Sequence, residues 1–309
     1  MKRTLPLLMA IVALTGIMAL WVPDGRFLTP ANLLDLVQQI AVNAILAFGL
    51  TLVILIGGID LSVGAVVALV GTVAVAVLIP AGWVAAALCG LAVAGLFGWI
   101  NGLCASRTRM PPFIITLATM LVARGLALRF NEGRPLPVPN QERVFLAMGN
   151  ARVFDLIPVP VLLMLGAFVV TGVLLHRTAF GQHLYAIGGN REAARFTGIR
   201  LARNETVVYV LCSLLAGLAG LIHASQLYSA EPGSGQGFEL NAIAAVVVGG
   251  TSFTGGTGTL PGTLLGAIII GILDKGLNQA GVHFSLQYVI KGAVILTAVY
   301  LDVRRHQAA

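Results

Sequence analysis

The sequence predicts an all-α membrane protein of about ten transmembrane helices, with broken helices near its core, and three observations carry that expectation. Apolar residues make up 58% of the chain and charged residues 10%, against about 45 to 50% and about 25% in soluble domains. The mean hydropathy is +0.93. About 20 apolar residues are needed to cross a hydrocarbon core of about 30 Å, and roughly ten runs of that kind occur here. Finally, the charges fall in short links between those runs, where lysine and arginine set orientation. The net charge of +7 therefore does not point to a nucleic-acid partner.

Taken in order, the first run, 5–22, follows Lys2 and Arg3 as a signal peptide would. No small-residue cleavage site precedes the polar residues 23–26, so it reads as a retained span. Runs at 33–56, 62–79, 83–105 and 113–130 come next. The link 131–158 mixes Pro135, Pro137 and Pro139 with charges and reads as an external cap, a partner surface or a long connection. Further runs lie at 159–175, 206–228, 241–253, 260–278 and 286–301, and the whole chain, 1–309, reads as one domain. An even number of crossings puts both termini on one face, together with Lys2, Arg3, Arg107, Arg109, Arg177, Arg191, Arg195, Arg200, Arg203, Arg304 and Arg305. That face is expected to be the cytoplasm.

Two runs break at paired glycines, at Gly57-Gly58 and at Gly249-Gly250, the second continuing through a segment rich in glycine and threonine to Thr263. Glycine weakens a helix and proline removes a donor, so backbone freed at membrane depth must face protein or a water-lined cavity. Breaks at corresponding places in two halves point to a transport pathway.

The one long polar, basic stretch is 181–203. Asn190 is placed to cap a short helix of about two turns, roughly 12 Å long. Glu192 suits that helix's positive end and Gly198 its stop. Ala193, Ala194 and Phe196 offer small apolar contacts, while Arg191 and Arg195, four apart, face water or acidic partners. Such a helix suits docking better than chemistry, although a plain connecting loop fits the same residues.

Several function classes are excluded. Residues 255–263 lack the lysine of a nucleotide-binding loop, so the chain is not expected to hydrolyse ATP. Its five histidines are scattered, with no metal-ligand spacing. Cys89, Cys104 and Cys212 read as small buried hydrophobes. With no nucleophile and base in a cluster, no enzyme and no cofactor are expected.

The segments 57–64 (GGIDLSVG), 185–190 (YAIGGN), 239–252 (ELNAIAAVVVGGTS) and 289–296 (VIKGAVIL) resemble the ribose-type permeases of bacterial ABC sugar importers, from about residue 33 onward. The resemblance implies a subunit of the bacterial inner membrane that pairs with a second permease chain, identical or paralogous. It also implies a cytoplasmic ABC ATPase and a periplasmic sugar-binding protein as partners. By that likeness Gly188, Gly189, Asn190, Glu192, Ala193 and Ala194, with Arg191, Arg195 and Gly198 around them, belong to the loop that couples to the ATPase.

A neutral, hydroxyl-rich sugar needs hydroxyl and amide partners rather than a fixed charge. Asn43, Thr116 and Gln226, with Thr51, Thr119 and Ser225, are candidates for its path, and each also fits a bond to its own helix or a neighbour. Asp60 and Ser62 fit either that path or the N-terminal cap of the third span. Asp274 and Lys291 are expected to pair between the last two spans, with Lys275 reaching for lipid head groups. A proton-coupled carrier would need a carboxylate relay, for which Asp60 alone is poor. A branched-chain amino-acid permease would need charge partners that the spans largely lack.

Overall fold

A computed structural model describes residues 4–307; Lys2 and Arg3 lie outside them, as does the side chain of Arg305. The α-helices are α1 (Thr4–Trp21), α2 (Pro30–Leu55), α3 (Val63–Arg107), α4 (Pro112–Arg129), α5 (Arg143–Asn150), α6 (Val159–Arg177), α7 (Ala179–Gly189), α8 (Arg191–Phe196), α9 (Leu201–Gln226), α10 (Phe238–Val248), α11 (Leu260–Gln279) and α12 (Phe284–Gln307). Four two-residue strands complete it: β1 (Leu136–Pro137) pairs with β4 (Ser229–Ala230), and β2 (Arg152–Val153) with β3 (Ile157–Pro158). Seven of the helices are long and apolar enough to cross a membrane.

Helix α3 crosses twice. At 45 residues it is too long for one pass, and Pro80 lies inside it with Gly82 at φ 77° and ψ 174°. Only glycine adopts that conformation cheaply. The chain reverses there, so that a Cβ on Gly90 of the returning arm would touch Val70 and Ala74 of the outgoing one. With α3 as a hairpin, and α10 and α12 as shorter apolar helices, the described residues hold ten apolar helical segments, as many as the apolar runs.

The core is built on α2, the α3 hairpin and α9. Residues 44–55 of α2 are buried throughout, as befits a helix apolar on every side but surrounded by protein. Where α3 crosses α9 the contact is backbone to backbone. A Cβ on Gly98 would stand 2.6 Å from the Tyr209 carbonyl oxygen, and one on Gly102 2.6 Å from the Cα of Thr206. Small residues at such crossings let helices approach and gain packing that lipid cannot match. α1 lies at the margin, with Leu20 91% exposed and its inward Met18 against Gly276 of α11.

The link 131–158 is folded onto the bundle rather than hanging from it. Ser225 Oγ donates to the Phe145 carbonyl at 2.8 Å and accepts from the Gly149 N–H at 2.8 Å, and Asn150 Nδ2 donates to the Ser225 carbonyl at 2.6 Å. Arg124 holds the neighbouring loop by donating to the carbonyls of Pro232 (2.8 Å) and Ser234 (2.6 Å). Among the cysteines, Cys212 is buried but Cys89 is exposed. An apolar thiol tolerates the lipid-facing side of the hairpin as well as the core, so the expectation of burial fails at Cys89.

Candidate functional site

Two features occupy opposite ends of the same helices. The first is a cavity of about 430 Å³ among α2, α9, α10 and α11, at the end of the bundle covered by the link 131–158. Gln39 and Asn43, four apart, share one face of α2; Gln38 joins them, with Gln226 and His223 from the end of α9, Asn241 from α10 and Asn150 from that link. Local bonds hold several of these amides: Gln38 Nε2 donates to the Gly149 carbonyl at 2.6 Å, and Asn241 Nδ2 donates to Asp274 Oδ2 at 3.1 Å. Asn43 Oδ1 is buried with no hydrogen-bond partner. Leaving such a group unpaired costs about 1 to 3 kcal/mol, which a hydroxyl donor from a ligand would recover. Of the two carboxylates on the lining, Asp274 is neutralised by Lys291 at 3.0 Å, and Asp35 is exposed. The wall therefore offers amides, an imidazole and the Phe238 ring, which suits an uncharged polyol.

Of the path residues named from sequence, Asn43 and Gln226 are on this wall, while Asp60, Ser62 and Thr116 are elsewhere. They belong to a buried cluster at the end of α2. Asp60 Oδ1 accepts from the Ser62 N–H at 2.9 Å and from Ser62 Oγ at 2.6 Å. Asn101 Nδ2 donates to Ser62 Oγ at 3.0 Å, Thr119 Oγ1 donates to Asn101 Oδ1 at 2.7 Å, and Thr116 Oγ1 donates to the Ile59 carbonyl at 3.2 Å. The residue preceding α3 is Ser62, and its own side chain makes no capping bond. Asp60 thus closes an Asx turn two residues on and ties the segment 56–62 to the return arm of α3 and to α4. Thr51 does glue work as well, bonding Thr263 Oγ1 at 2.8 Å.

The second feature is the basic stretch. Asn190 Oδ1 accepts from the Ala193 N–H at 2.9 Å, Glu192 lies in the first turn of α8, and Gly198 has φ +86°. These are the cap, charge and stop read from sequence, although α8 has six residues, nearer 9 Å than 12 Å. Ala194 is the alanine that packs inward, whereas Ala193 and Arg195 are exposed and Phe196 is 87% exposed. Arg191 meets an acid: Nη1 is 2.5 Å from Glu205 Oε1, and Nη2 donates to Oε2 at 3.1 Å. That pair fixes α8 to the first turns of α9.

Sequence reasoning missed where Gly188 and Gly189 sit. Both glycine breaks converge on them. The Gly256 N–H donates to the Leu55 carbonyl at 2.9 Å, and a Cβ on Gly188 would collide with that carbonyl and with Gly256. A Cβ on Gly255 would stand 3.0 Å from the Gly57 nitrogen, and one on Gly256 2.8 Å from the Gly189 nitrogen. Tyr185 Oη adds a bond to the Gly258 carbonyl at 2.9 Å. Four Gly-Gly pairs, at 57, 188, 249 and 255, were the available signal, yet nothing in a linear sequence says that three of them touch. Among the described residues no His, Cys, Asp and Glu cluster fits a metal ion.

Comparison with known proteins gives a consistent picture. A family model described as branched-chain amino acid transport system / permease component matches residues 32–299. The chain is 49% identical over 284 residues to the ribose import permease protein of Bacillus subtilis (strain 168), an alignment covering 91% of this chain and 88% of that one. It is 39% identical over 279 residues to the D-allose transport system permease protein of Escherichia coli (strain K12), covering 89% and 84%. To the L-arabinose ABC transporter permease protein of Azospirillum brasilense it is 36% identical over 303 residues, covering 97% and 88%.

Proposed function

Because the chain belongs to the family described as branched-chain amino acid transport system / permease component, we propose that it is the membrane subunit of an ABC importer for a monosaccharide, ribose or a similar sugar. Its relatives are permeases named for ribose, allose and arabinose, which favours a sugar over an amino acid despite the family's description. A stand-alone proton-coupled carrier finds no support in the packing: among the described residues, Asp60 is bonded to Ser62, Asp274 is paired with Lys291, and the other carboxylate on the cavity wall, Asp35, is exposed. The subunit is a multi-pass protein of the inner membrane and not an enzyme. Its termini and α8 face the cytoplasm, where a separate ABC ATPase takes the exposed Ala193 and Phe196 into a groove. A periplasmic sugar-binding protein delivers the sugar to the cavity at the other end, and a second permease chain completes the transport unit.

The observation that carries this reading is the amide-lined cavity on helices α2, α10 and α11, since the other end of α2, at Leu55, and the link between α10 and α11, at Gly255 and Gly256, meet Gly188 and Gly189. A push on α7 and α8 reaches the floor of the path through the glycine contacts and the Tyr185 bond to Gly258, so ATP-driven movement of the partner opens or closes the way for sugar. The test is uptake into proteoliposomes holding the whole importer with its ATPase and binding protein. Asn43→Leu together with Gln226→Leu is expected to lower sugar uptake about tenfold or more, since each lost bond to a hydroxyl is worth about 1 kcal/mol and leaves the ligand group unpaired. Unchanged uptake by a folded double variant would remove the cavity from the path.

A further inference from the structure

A second cavity, of about 550 Å³, lies between the end of α3 and the start of α9, away from the sugar path. Arg107, Arg200 and Arg203 line it, and so do Trp99, Leu103 and Val207. Its lining contains no aspartate or glutamate. The one carboxylate close by in sequence, Glu205, is 3% exposed and turned to Arg191. Within the described residues none of the three arginines is in an ion pair. Arginines at the ends of spans ordinarily serve orientation alone, but these three close on one hollow instead of spreading over a convex surface. The apolar side of that hollow is uncovered, with Trp99 50% and Val207 37% exposed. The start of α9 adds to the positive field, since Arg200 makes no side-chain cap and the first N–H groups of a helix carry the positive end of its dipole.

We propose that this cavity binds the phosphate head group of an anionic phospholipid. The guanidinium forks of Arg107, Arg200 and Arg203 take the phosphodiester oxygens, a match of planar donors to phosphate that lysine does not reproduce. The acyl chains run along Trp99, Leu103 and Val207. Basic hollows between helices at a membrane face recognise lipid head groups in this way. Because the site ties α3 to α9 beside the Arg191 to Glu205 bond, a bound lipid braces the start of α9 against α8.

The test is native mass spectrometry of the purified chain in detergent, titrated with phosphatidylglycerol or with phosphatidylcholine, each with and without millimolar inorganic phosphate. Phosphatidylglycerol is expected to bind more tightly than phosphatidylcholine and to remain bound when phosphate is added. The double variant Arg200→Gln, Arg203→Gln is expected to weaken binding about fivefold for each arginine removed. Arg107→Gln alone gives a single fivefold step and decides the matter if the double variant does not elute as a folded species. Arg109→Gln, exposed but outside the lining, should leave binding unchanged. Equal binding of the two lipids, an equal loss in Arg109→Gln, or displacement of the lipid by phosphate would each overturn the proposal. None of these results bears on sugar transport.

Discussion

Asp274 shows how one residue is held at the edge of the sugar cavity. Its side chain is 30% exposed and meets Lys291 of α12, 21% exposed, at 3.0 Å, while Asn241 donates to its other oxygen at 3.1 Å. The pair was legible from sequence because two opposite charges in adjoining apolar runs have few other partners; Asn241 was not, since an amide has many. Removing one member of a buried pair costs about 3 to 5 kcal/mol, and partial exposure discounts this to about 1 to 3 kcal/mol. Lys291→Met is therefore expected to lower the thermal midpoint of the purified chain and to reduce uptake. Asp274→Asn added to it should recover most of the stability, because the unpaired carboxylate is then gone. If Lys291→Met alone leaves folded yield and transport intact, α12 is held by apolar contact and the pair is dispensable.

At the scale of elements, the segment α7 to α8 was readable in part. The cap at Asn190, the stop at Gly198 and the acidic first turn follow from local chemistry, which acts over three or four residues. What these residues press against depends on contacts more than 60 residues away in the chain, such as Gly188 against Leu55 and Gly256, and glycine advertises no partner. The same limit explains Asp60, Ser62 and Thr116: a buried polar side chain signals that bonds are made, not whether ligand or protein makes them. The contact at Gly188 yields a paired prediction. Gly188→Val must displace the Leu55 carbonyl or Gly256, an overpacking that costs about 1 to 3 kcal/mol. It is expected to raise ATP hydrolysed per sugar imported by the whole importer, the spans remaining folded. At Gly189 a Cβ meets nothing within 4 Å, so Gly189→Ala should leave that ratio unchanged. Equal ratios in the two variants would show that force does not pass through the glycine junction.

For the whole molecule, the apolar helical segments were legible from hydrophobic length, which a sequence displays directly. The hairpin within α3 was legible too, because the helix breakers Pro80 and Gly82 divide two apolar runs. The folding of 131–158 over one end of the bundle was not, for its anchors are backbone carbonyls such as those of Phe145 and Ser225. Orientation then decides whether the parts can work together. In the topology proposed above, ten passes place α8 and both termini on one face and the link 131–158 on the other, with α8 on the cytoplasmic face by arginine density. With Cys89, Cys104 and Cys212 replaced by alanine, Asn190→Cys should resist a membrane-impermeant thiol reagent in right-side-out vesicles and react in inverted ones. Asp155→Cys, at an exposed site on that link, should show the opposite pattern. A reversed result would put α8 beyond the reach of any cytoplasmic ATPase. The ATP-driven importer reading would then fail, even though the amide-lined cavity and its geometry remained as described.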